Sequence, residues 1–286
     1  MLAEESLREG NLEETLARLQ GEVRKNPAEP KHRIFLFQLL SVLGDWDRAL
    51  NQLNVAGDLD DGALAMVQTY REALRCEALR AEVFAGRRSP LLFGEPAEWM
   101  ALMVEALRLT AEGEYAKSQE VRERAFEAAP ATSGAVDDEP FEWIADADSR
   151  LGPILEAIVN GRYYWIPFQR IRTIRVEEPA DLRDLVWTPV QFTWANGGET
   201  VGLVPTRYPE SHASGDSLVR LGRKTEWEER EGELYLGLGQ RMLATDAGEY
   251  PLLDIRLIGL DTEAETGATA GPGAEGGTEN AQATDG

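Results

Sequence analysis

The hydrophobic positions of residues 12–129 recur at the spacing of amphipathic α-helices. One face of the first such helix collects four apolar residues: Leu12, Leu16, Leu19 and Val23. The same spacing predicts further helices over 30–43, from 46 onward, and over 61–84, 96–111 and 115–129. Prolines between the first two helices mark positions where a helix can start or stop but not continue. The first half of the chain is therefore predicted to be helical.

Three segments of this helical half share a short motif: GNLEETLA at 10–17, GDWDRALN at 44–51 and GEYAKSQE at 113–120. Each has a glycine, a bulky apolar residue two positions later and a small residue five positions later. The first two glycines lie 34 residues apart, and the third lies 69 residues further on. A period of about 34 residues in helix pairs is typical of tetratricopeptide repeats. Residues 1–135 are therefore predicted to form a TPR-like helical array with a degenerate middle unit; a non-repeating bundle is the alternative.

From about residue 141 the pattern changes to short aromatic and β-branched runs bounded by turn residues, which predict strands. The runs are 163–168, 171–176, 190–194, 199–205, 225–230, 233–239 and 252–260. Asn196-Gly197 and Glu231-Gly232 lie between consecutive runs and predict hairpin turns. The segment LGPILEAIVNGR (151–162) is predicted to be a short helix, and 131–140 to be the boundary. The fold class is thus α+β, with a small antiparallel sheet of five to seven strands or a partly open barrel at 141–260.

The composition is that of an acidic folded protein. The 286 residues include 51 acidic and 29 basic residues, which give a net charge of −22, and 43% are apolar. Residues 261–286 hold six acidic residues, no base and no large apolar residue, so they are predicted to be a disordered acidic tail. The acidic N-terminus does not resemble a signal peptide, and no apolar run reaches the length of a membrane helix. With a single cysteine, these features predict a cytoplasmic protein that binds neither membranes nor, broadly, nucleic acids.

The residue types that usually carry catalysis are sparse. His32 and His212 lack evident partners for a triad or a metal site, so surface or capping roles are predicted. Cys76 lies at helical spacing and is predicted to be a core residue. Asp146 and Asp148 could form an acid/base pair or hold a metal, but the favoured interpretation is that Asp148 or Ser149 caps the helix predicted after it, with Arg150 pairing nearby. No cofactor and no metal are expected.

The segment RYYWIPFQRIRTIRV (162–176), here called the Arg/aromatic strip, combines four arginines and four aromatic residues without an acid. Basic and aromatic residues in alternation can bind single-stranded nucleic acid. They can also anchor a protein interface, since Arg, Trp and Tyr dominate binding hot spots. A third interpretation is a pair of strands whose arginines meet the protein's own acids. The net negative charge disfavours nucleic acid.

Three motifs lie in order along the second half: FEWIADADSRLGPILEAIVNGRYYWIPF at 141–168, VEEPADLRDLVWTPV at 176–190 and LVPTRYP at 203–209. Together they resemble the ImpE family, whose members are also called SciE-type or TagJ proteins. The resemblance covers nearly all of 1–260 and leaves out the acidic tail. It implies a non-catalytic accessory component of bacterial type VI secretion. Such proteins are thought to associate with a helix of the small sheath subunit TssB, and to be linked to ClpV, the ATPase that disassembles contracted sheaths.

We therefore expect a cytoplasmic adaptor that binds a TssB-like helix of the sheath and modulates ClpV-linked disassembly. Two surfaces are predicted to contact the partner, the inner face of the helical array and the Arg/aromatic strip. Their residues are Arg33, Phe37 and Trp46 on the array, and Trp165, Arg170, Arg172 and Arg175 on the strip. Two alternatives stay open: an acid/base hydrolase that uses Asp146 and Asp148, and a single-stranded nucleic-acid binder that uses the strip.

Overall fold

The computed structural model describes residues 10–95 and 97–262, so the predicted acidic tail lies, beyond Thr262, outside the described residues. Six helices form the first half of this part of the chain: α1 Leu12–Lys25, α2 Pro30–Val42, α3 Trp46–Leu59, α4 Leu64–Phe84, α5 Glu98–Ala111 and α6 Tyr115–Ala128. Their starts and ends lie within a few residues of the predicted positions. The helical expectation for this half is confirmed.

The three repeated motifs share one local geometry. The motif glycine lies two residues before a helix, with φ between 72° and 78°, in every copy: Gly10, Gly44 and Gly113. The small residue is completely buried in every copy: Thr15, Ala49 and Ser118. The Ser118 Oγ–H donates to the Ala106 carbonyl oxygen at 2.8 Å, which holds α6 close against α5. Between the second and third copies the chain forms the long helix α4 and then helix α5, and the TPR-like assignment stays a prediction.

Within the described ranges the chain also forms fourteen strands and a one-turn helix, α7 Ser217–Arg220. The strands are β1 Leu91–Leu92, β2 Gly134–Val136, β3 Glu139–Phe141, β4 Ile144–Asp146, β5 Ile154–Val159, β6 Arg162–Pro167, β7 Ile171–Val176, β8 Trp187–Trp194, β9 Glu199–Pro205, β10 Thr225–Arg230, β11 Leu234–Gly239, β12 Met242–Thr245, β13 Glu249–Pro251 and β14 Leu257–Leu260. Nine of them form one sheet in the order β1-β6-β5-β9-β8-β7-β14-β2-β3. All neighbours in it are antiparallel except β1 and β6. A three-stranded sheet, β13-β12-β4, and the hairpin β10–β11 complete the fold.

Six of the predicted strands are present, the run predicted at 252–260 is a strand only over Leu257–Leu260, and both predicted hairpin turns join consecutive strands. The main sheet is larger than predicted, and its order is open, with β1 and β3 at the edges, instead of a barrel. The helix predicted in 151–162 is wrong, because this segment forms strand β5. Every side chain of β5 is buried, and such a strand shows no polar alternation to separate it from a helix. The segment 131–140 contains β2 and the start of β3.

The two faces of the nine-stranded sheet bury different cores. One face packs against the helices, and its core includes Ile158, Trp165 and Trp187. The other face packs against the three-stranded sheet and the chain that follows it, with residues such as Phe192 and Leu243. The first of these cores contains residues from both the helices and the strands, so the two halves of the chain share it. No helix in the described part of the chain is long and apolar enough to cross a membrane.

Candidate functional site

Buried charged groups join helix α4 to the strands beneath it. Arg80 on α4 donates from Nε (2.7 Å) and Nη2 (3.0 Å) to the two carboxylate oxygens of Glu156 on β5. Arg241 donates to the same carboxylate and to Asp146. Burial raises the pKa of Glu156, but the two guanidinium groups outweigh this effect and lower it to about 2. Glu156 is therefore a permanent anion that neutralises two buried cations.

The two aspartates of the hydrolase alternative belong to this network. Asp146 accepts from the Asp148 amide at 2.9 Å and from Arg241. Asp148 accepts from Nε (2.9 Å) and Nη2 (2.5 Å) of Arg150. Strand β5, not a helix, comes after Asp148 and Ser149, so the predicted capping role is wrong, whereas the predicted pairing of Arg150 is confirmed. The two carboxylates are 3% and 0% exposed, and burial raises the pKa of Asp146 to about 6. Their contacts are those of groups that hold a turn in place, which disfavours the hydrolase.

Cys76 and the two histidines occupy unremarkable positions for catalysis. Cys76 is buried, which raises the pKa of its thiol to about 12 and keeps it protonated, so the predicted core role is confirmed. His32 is half-buried on α2, with its Nδ1 3.7 Å from the Glu22 carboxylate. His212 packs against Gly44, and its ring centroid lies 5.8 Å from that of Trp46.

A cleft of about 470 Å³ lies between the helices and the segment that follows β9. Apolar and charged side chains both line it: Trp46, Phe84 and Val186 with Glu77, Arg80, Arg150, Arg207, Glu210 and His212. Trp46 was predicted to contact a partner, and it stands in this wall with its ring 6.1 Å from that of Trp187. We call this site the joint cleft.

Arg207 clamps the parts that enclose the joint cleft. Its guanidinium donates to the carbonyl oxygens of Val42 (2.8 Å) and Ser41 (3.3 Å) at the end of α2, and to that of Arg220 at the end of α7. Carbonyls at helix C-termini carry partial negative charge, which suits a cation. Burial lowers the pKa of Arg207 to about 10, so the group stays charged at neutral pH.

The predicted partner residues separate into buried and accessible ones. Phe37 and Trp165 are completely buried. The Phe37 ring lies 5.7 Å from that of Tyr70, and the Trp165 indole N–H donates to the Tyr163 hydroxyl at 2.8 Å. Side chains in these positions are part of the core and offer a partner no surface.

The other predicted residues keep some exposure. Arg33 is half-buried and donates to Gln52 Oε1 at 2.8 Å. Arg170 is half-buried, whereas Arg172 and Arg175 are exposed and form no ion pair within the described ranges. The aromatic rings of the Arg/aromatic strip lie in the cores, where bases cannot stack on them. This arrangement disfavours the nucleic-acid alternative.

The sheet face that carries α4 is covered over only part of its width. Register places four residues side by side across four strands of this face: Leu257, Arg175, Gln191 and Val201. Three of these residues are exposed, and Val201 is 73% exposed. Their neighbours on the opposite face, such as Ile174 and Phe192, are buried. We call these four residues the exposed row.

An open groove of about 1090 Å³ marks the step between the covered and uncovered parts of this face. Helix α4 supplies one wall and the sheet supplies the floor, with the lining residues Ala65, Gln68, Thr69, Glu72, Pro189, Gln191, Val201 and Leu203 among them. Packing a helix beside α4 would continue the helical layer over the sheet, which is how such layers are normally completed. The groove therefore has the shape of a docking site for a helix.

Several residues of these sites were missed in the sequence. Glu156 is a lone charge in the apolar run ILEAIV, which is a signal for a buried ion pair. Its partners Arg80 and Arg241 lie 76 and 85 residues away, and nothing local marks them. Val201 is part of the alternating run ETVGLVP, but alternation does not tell which face of a strand is covered.

The fold and the site define an α+β protein with a buried ion network and an open groove between α4 and the sheet. The family model "ImpE protein" matches residues 138–259. A relative from Pseudomonas aeruginosa PAO1, described as "Type VI secretion system accessory component TagJ", is 56% identical over 261 residues, or 91% of this chain and 92% of the relative. The chain therefore belongs to the ImpE family, to which its motifs pointed.

A solved structure supports the fold. The crystal structure of protein VPA1032 from Vibrio parahaemolyticus matches with a TM-score of 0.83 at 26% identity. The match covers 92% of this chain and 98% of that one. The arrangement of helices and sheet is therefore shared across nearly the full length of both proteins.

Proposed function

We propose that this protein is a non-catalytic accessory component of a type VI secretion system. The support is its identity to the Pseudomonas relative of that description along nearly the whole length of both chains. Within that system we propose an adaptor in the cytoplasm, which binds a helix of the small sheath subunit TssB and modulates ClpV-linked disassembly of the sheath.

The observation that supports a binding site here is the exposed row, which lies on the uncovered part of the sheet beside α4. A Val side chain that is 73% exposed is unfavourable in water, and burying it under a partner gains about 1.5–3 kcal/mol before other costs. Arg175 lies two strands away from Val201 in the exposed row and can pair with an acid on the same partner helix. We therefore place the partner helix along α4, over Val201 and Arg175.

A pull-down from a lysate that contains assembled sheaths tests this assignment. The baits are the full chain, Val201→Asp and a matched control, Leu218→Asp, which changes a residue on α7 that is 45% exposed and does not line the groove. We expect the full chain and the control to recover TssB, and Val201→Asp to recover at least about tenfold less, as for a hot-spot residue.

Two results would count against the proposal. Failure of the full chain to recover either TssB or ClpV, with both present in the lysate, contradicts the adaptor role. Equal recovery by Val201→Asp and the parent contradicts the groove. Loss of recovery in Arg33→Glu would then place the partner on the inner face of the helical array.

A further inference from the structure

The hairpin β10–β11 ends in an open strand edge. Strand β10 pairs only with β11 in the described part of the chain, so its other edge has no neighbouring strand. The far edge of β11 is occupied, because the Gly237 N–H donates to the Asp148 carboxylate at 2.9 Å and the Gly239 N–H to the Ser211 hydroxyl at 2.8 Å. None of the six residues of β10 is buried. Strand β10 is therefore the accessible edge of this hairpin.

The register of the hairpin shows which backbone groups of β10 are open. Hydrogen-bonded and non-hydrogen-bonded positions alternate along an antiparallel pair. Gly237 and Gly239 donate to groups outside β10, so their partners Trp227 and Thr225 occupy non-hydrogen-bonded positions, as does Glu229 two residues further on. The backbone N–H and C=O groups of these three residues therefore point away from β11. They form no backbone hydrogen bond to another element within the described ranges.

Two aromatic side chains lie beside this edge and are only partly covered. Trp227 is 40% exposed and Tyr235 is 43% exposed. Register places Tyr235 opposite Glu229, so both aromatic side chains stand on the same face of the hairpin. The Trp227 ring packs near the buried Tyr208 ring, with 5.6 Å between the centroids. Because tryptophan and tyrosine are enriched at protein interfaces, this face is suited to cover apolar side chains of an added strand.

The charges along the edge determine which segment fits it. Residues 224–233 contain five acidic and two basic residues, and both basic residues already form ion pairs with glutamates of β10. Three exposed acids remain without an ion pair in the part of the chain that the structure describes: Glu229, Glu231 and Glu233. A second copy of β10 at this edge would bring like charges together, which is unfavourable between paired strands. A segment that carries lysine or arginine would instead meet opposite charges.

From this geometry we infer that the open edge of β10 binds an extended, basic segment of another protein, which adds to the hairpin as a third strand. Backbone hydrogen bonds to Thr225, Trp227 and Glu229 would supply the affinity, and the glutamates and aromatic side chains would select the partner. The residues of this edge differ from those of the exposed row and its groove. The inference therefore does not depend on sheath binding.

Nuclear magnetic resonance of the full chain with a synthetic peptide tests the inference. The probe has six residues, the length of β10, and alternates lysine with valine; the control peptide has glutamate in place of lysine. An added strand would cover the amides of Trp227 and Glu229, so their hydrogen exchange should slow at least about tenfold. The amide of Glu228 points to β11 and should change little. The glutamate peptide should leave all three amides unchanged.

Two substitutions at one exposed position separate the backbone from the charge. Glu229→Pro removes the outward N–H without removing a bond to β11, and proline is tolerated at such edge positions. Glu229→Gln loses the same charge and keeps the N–H. We expect the lysine peptide to bind Glu229→Pro about fivefold more weakly than Glu229→Gln, as for one lost hydrogen bond. Glu178→Gln, which removes an exposed acid after β7, should bind like the parent.

Three results would overturn the inference. The first is unchanged exchange at Trp227 and Glu229 with millimolar lysine peptide, whether or not the peptide binds elsewhere. The second is equal binding by Glu229→Pro and Glu229→Gln, which would exclude strand addition. The third is equal slowing by the glutamate peptide, which would show that charge does not select the segment. Unfolding of Glu229→Pro would leave the test intact, because the exchange measurement uses the parent chain.

Discussion

One face of the nine-stranded sheet contains two regions with opposite properties. Under α4 it presents Trp165 and the Glu156 carboxylate, both completely buried, and across the next four strands it presents the exposed row. Both regions are regular antiparallel sheet, so backbone pairing does not distinguish them. The difference lies in the side chains. The covered region contains the large Trp165 ring and the Glu156 carboxylate, whose arginine partners lie outside this sheet. Three of the four side chains in the exposed row face solvent, so a partner can reach them.

The buried ion network should give the largest effect. Replacing Glu156 with Ala leaves Arg80 and Arg241 without their shared anion and should destabilise the protein by about 3–5 kcal/mol. Chemical denaturation measures the free energy of unfolding. The control is Glu105→Ala, which removes an exposed partner of Arg108 and should cause no measurable loss. A similar loss for both variants would show that burial of the charges is not what makes Glu156 important.

The apolar core of the covered region should respond almost as strongly. Phe37→Ala removes a completely buried ring and should cost about 3–5 kcal/mol, whereas Arg175→Ala in the exposed row should leave unfolding unchanged. Urea titrations of the two variants test this directly. Both residues were predicted to bind a partner. An unchanged stability for Phe37→Ala would contradict the core role of Phe37 and make partner binding its expected role again.

The sequence predicted helices and strands well, but it predicted poorly which side chains are buried by other elements. The reason is physical. Helix periodicity and the motif glycines report on neighbours in the chain, and both were found where predicted. Burial of Phe37 and Trp165 depends on elements far away in sequence, so a strip of arginines and aromatics looked like surface. The same holds for strand β5, because its burial on both faces and the two arginine partners of Glu156 come from remote parts of the chain.

The motif glycine at the joint cleft offers an intermediate effect with a close control. A Cβ at Gly44 would lie 2.2 Å from the ring of His212, at a φ of +72°. Gly197 has a φ of +85° in a hairpin turn, with nothing within 4 Å of its Cβ position. Gly44→Ala should therefore cost about 2–3 kcal/mol, and Gly197→Ala about 1–2 kcal/mol for the positive φ alone. Equal losses in thermal unfolding would mean that His212 moves aside freely.

The pH dependence of stability should reflect Asp146. Because burial raises its pKa in the folded protein from 3.8 to about 6, the folded state binds the proton more tightly than the unfolded state. This group therefore favours folding at low pH, and its contribution declines as the pH rises from about 4 to about 6. Asp146→Asn should remove that decline, on the order of 3 kcal/mol, from the stability profile. A parent and variant whose profiles run parallel over this interval would contradict the raised pKa.

The smallest effect on stability is expected in the exposed row. This prediction tests whether the exposed row contributes to binding and not to folding. Val201 is 73% exposed, so Val201→Asp should change the free energy of unfolding by no more than about 0.5 kcal/mol, as for most surface substitutions. Denaturation of the purified variant checks this before any pull-down is interpreted. If the loss exceeded about 1 kcal/mol, Val201 would contribute to folding, and reduced TssB recovery could no longer be attributed to binding. An unchanged stability with reduced recovery would show that this part of the sheet serves the partner and not the fold.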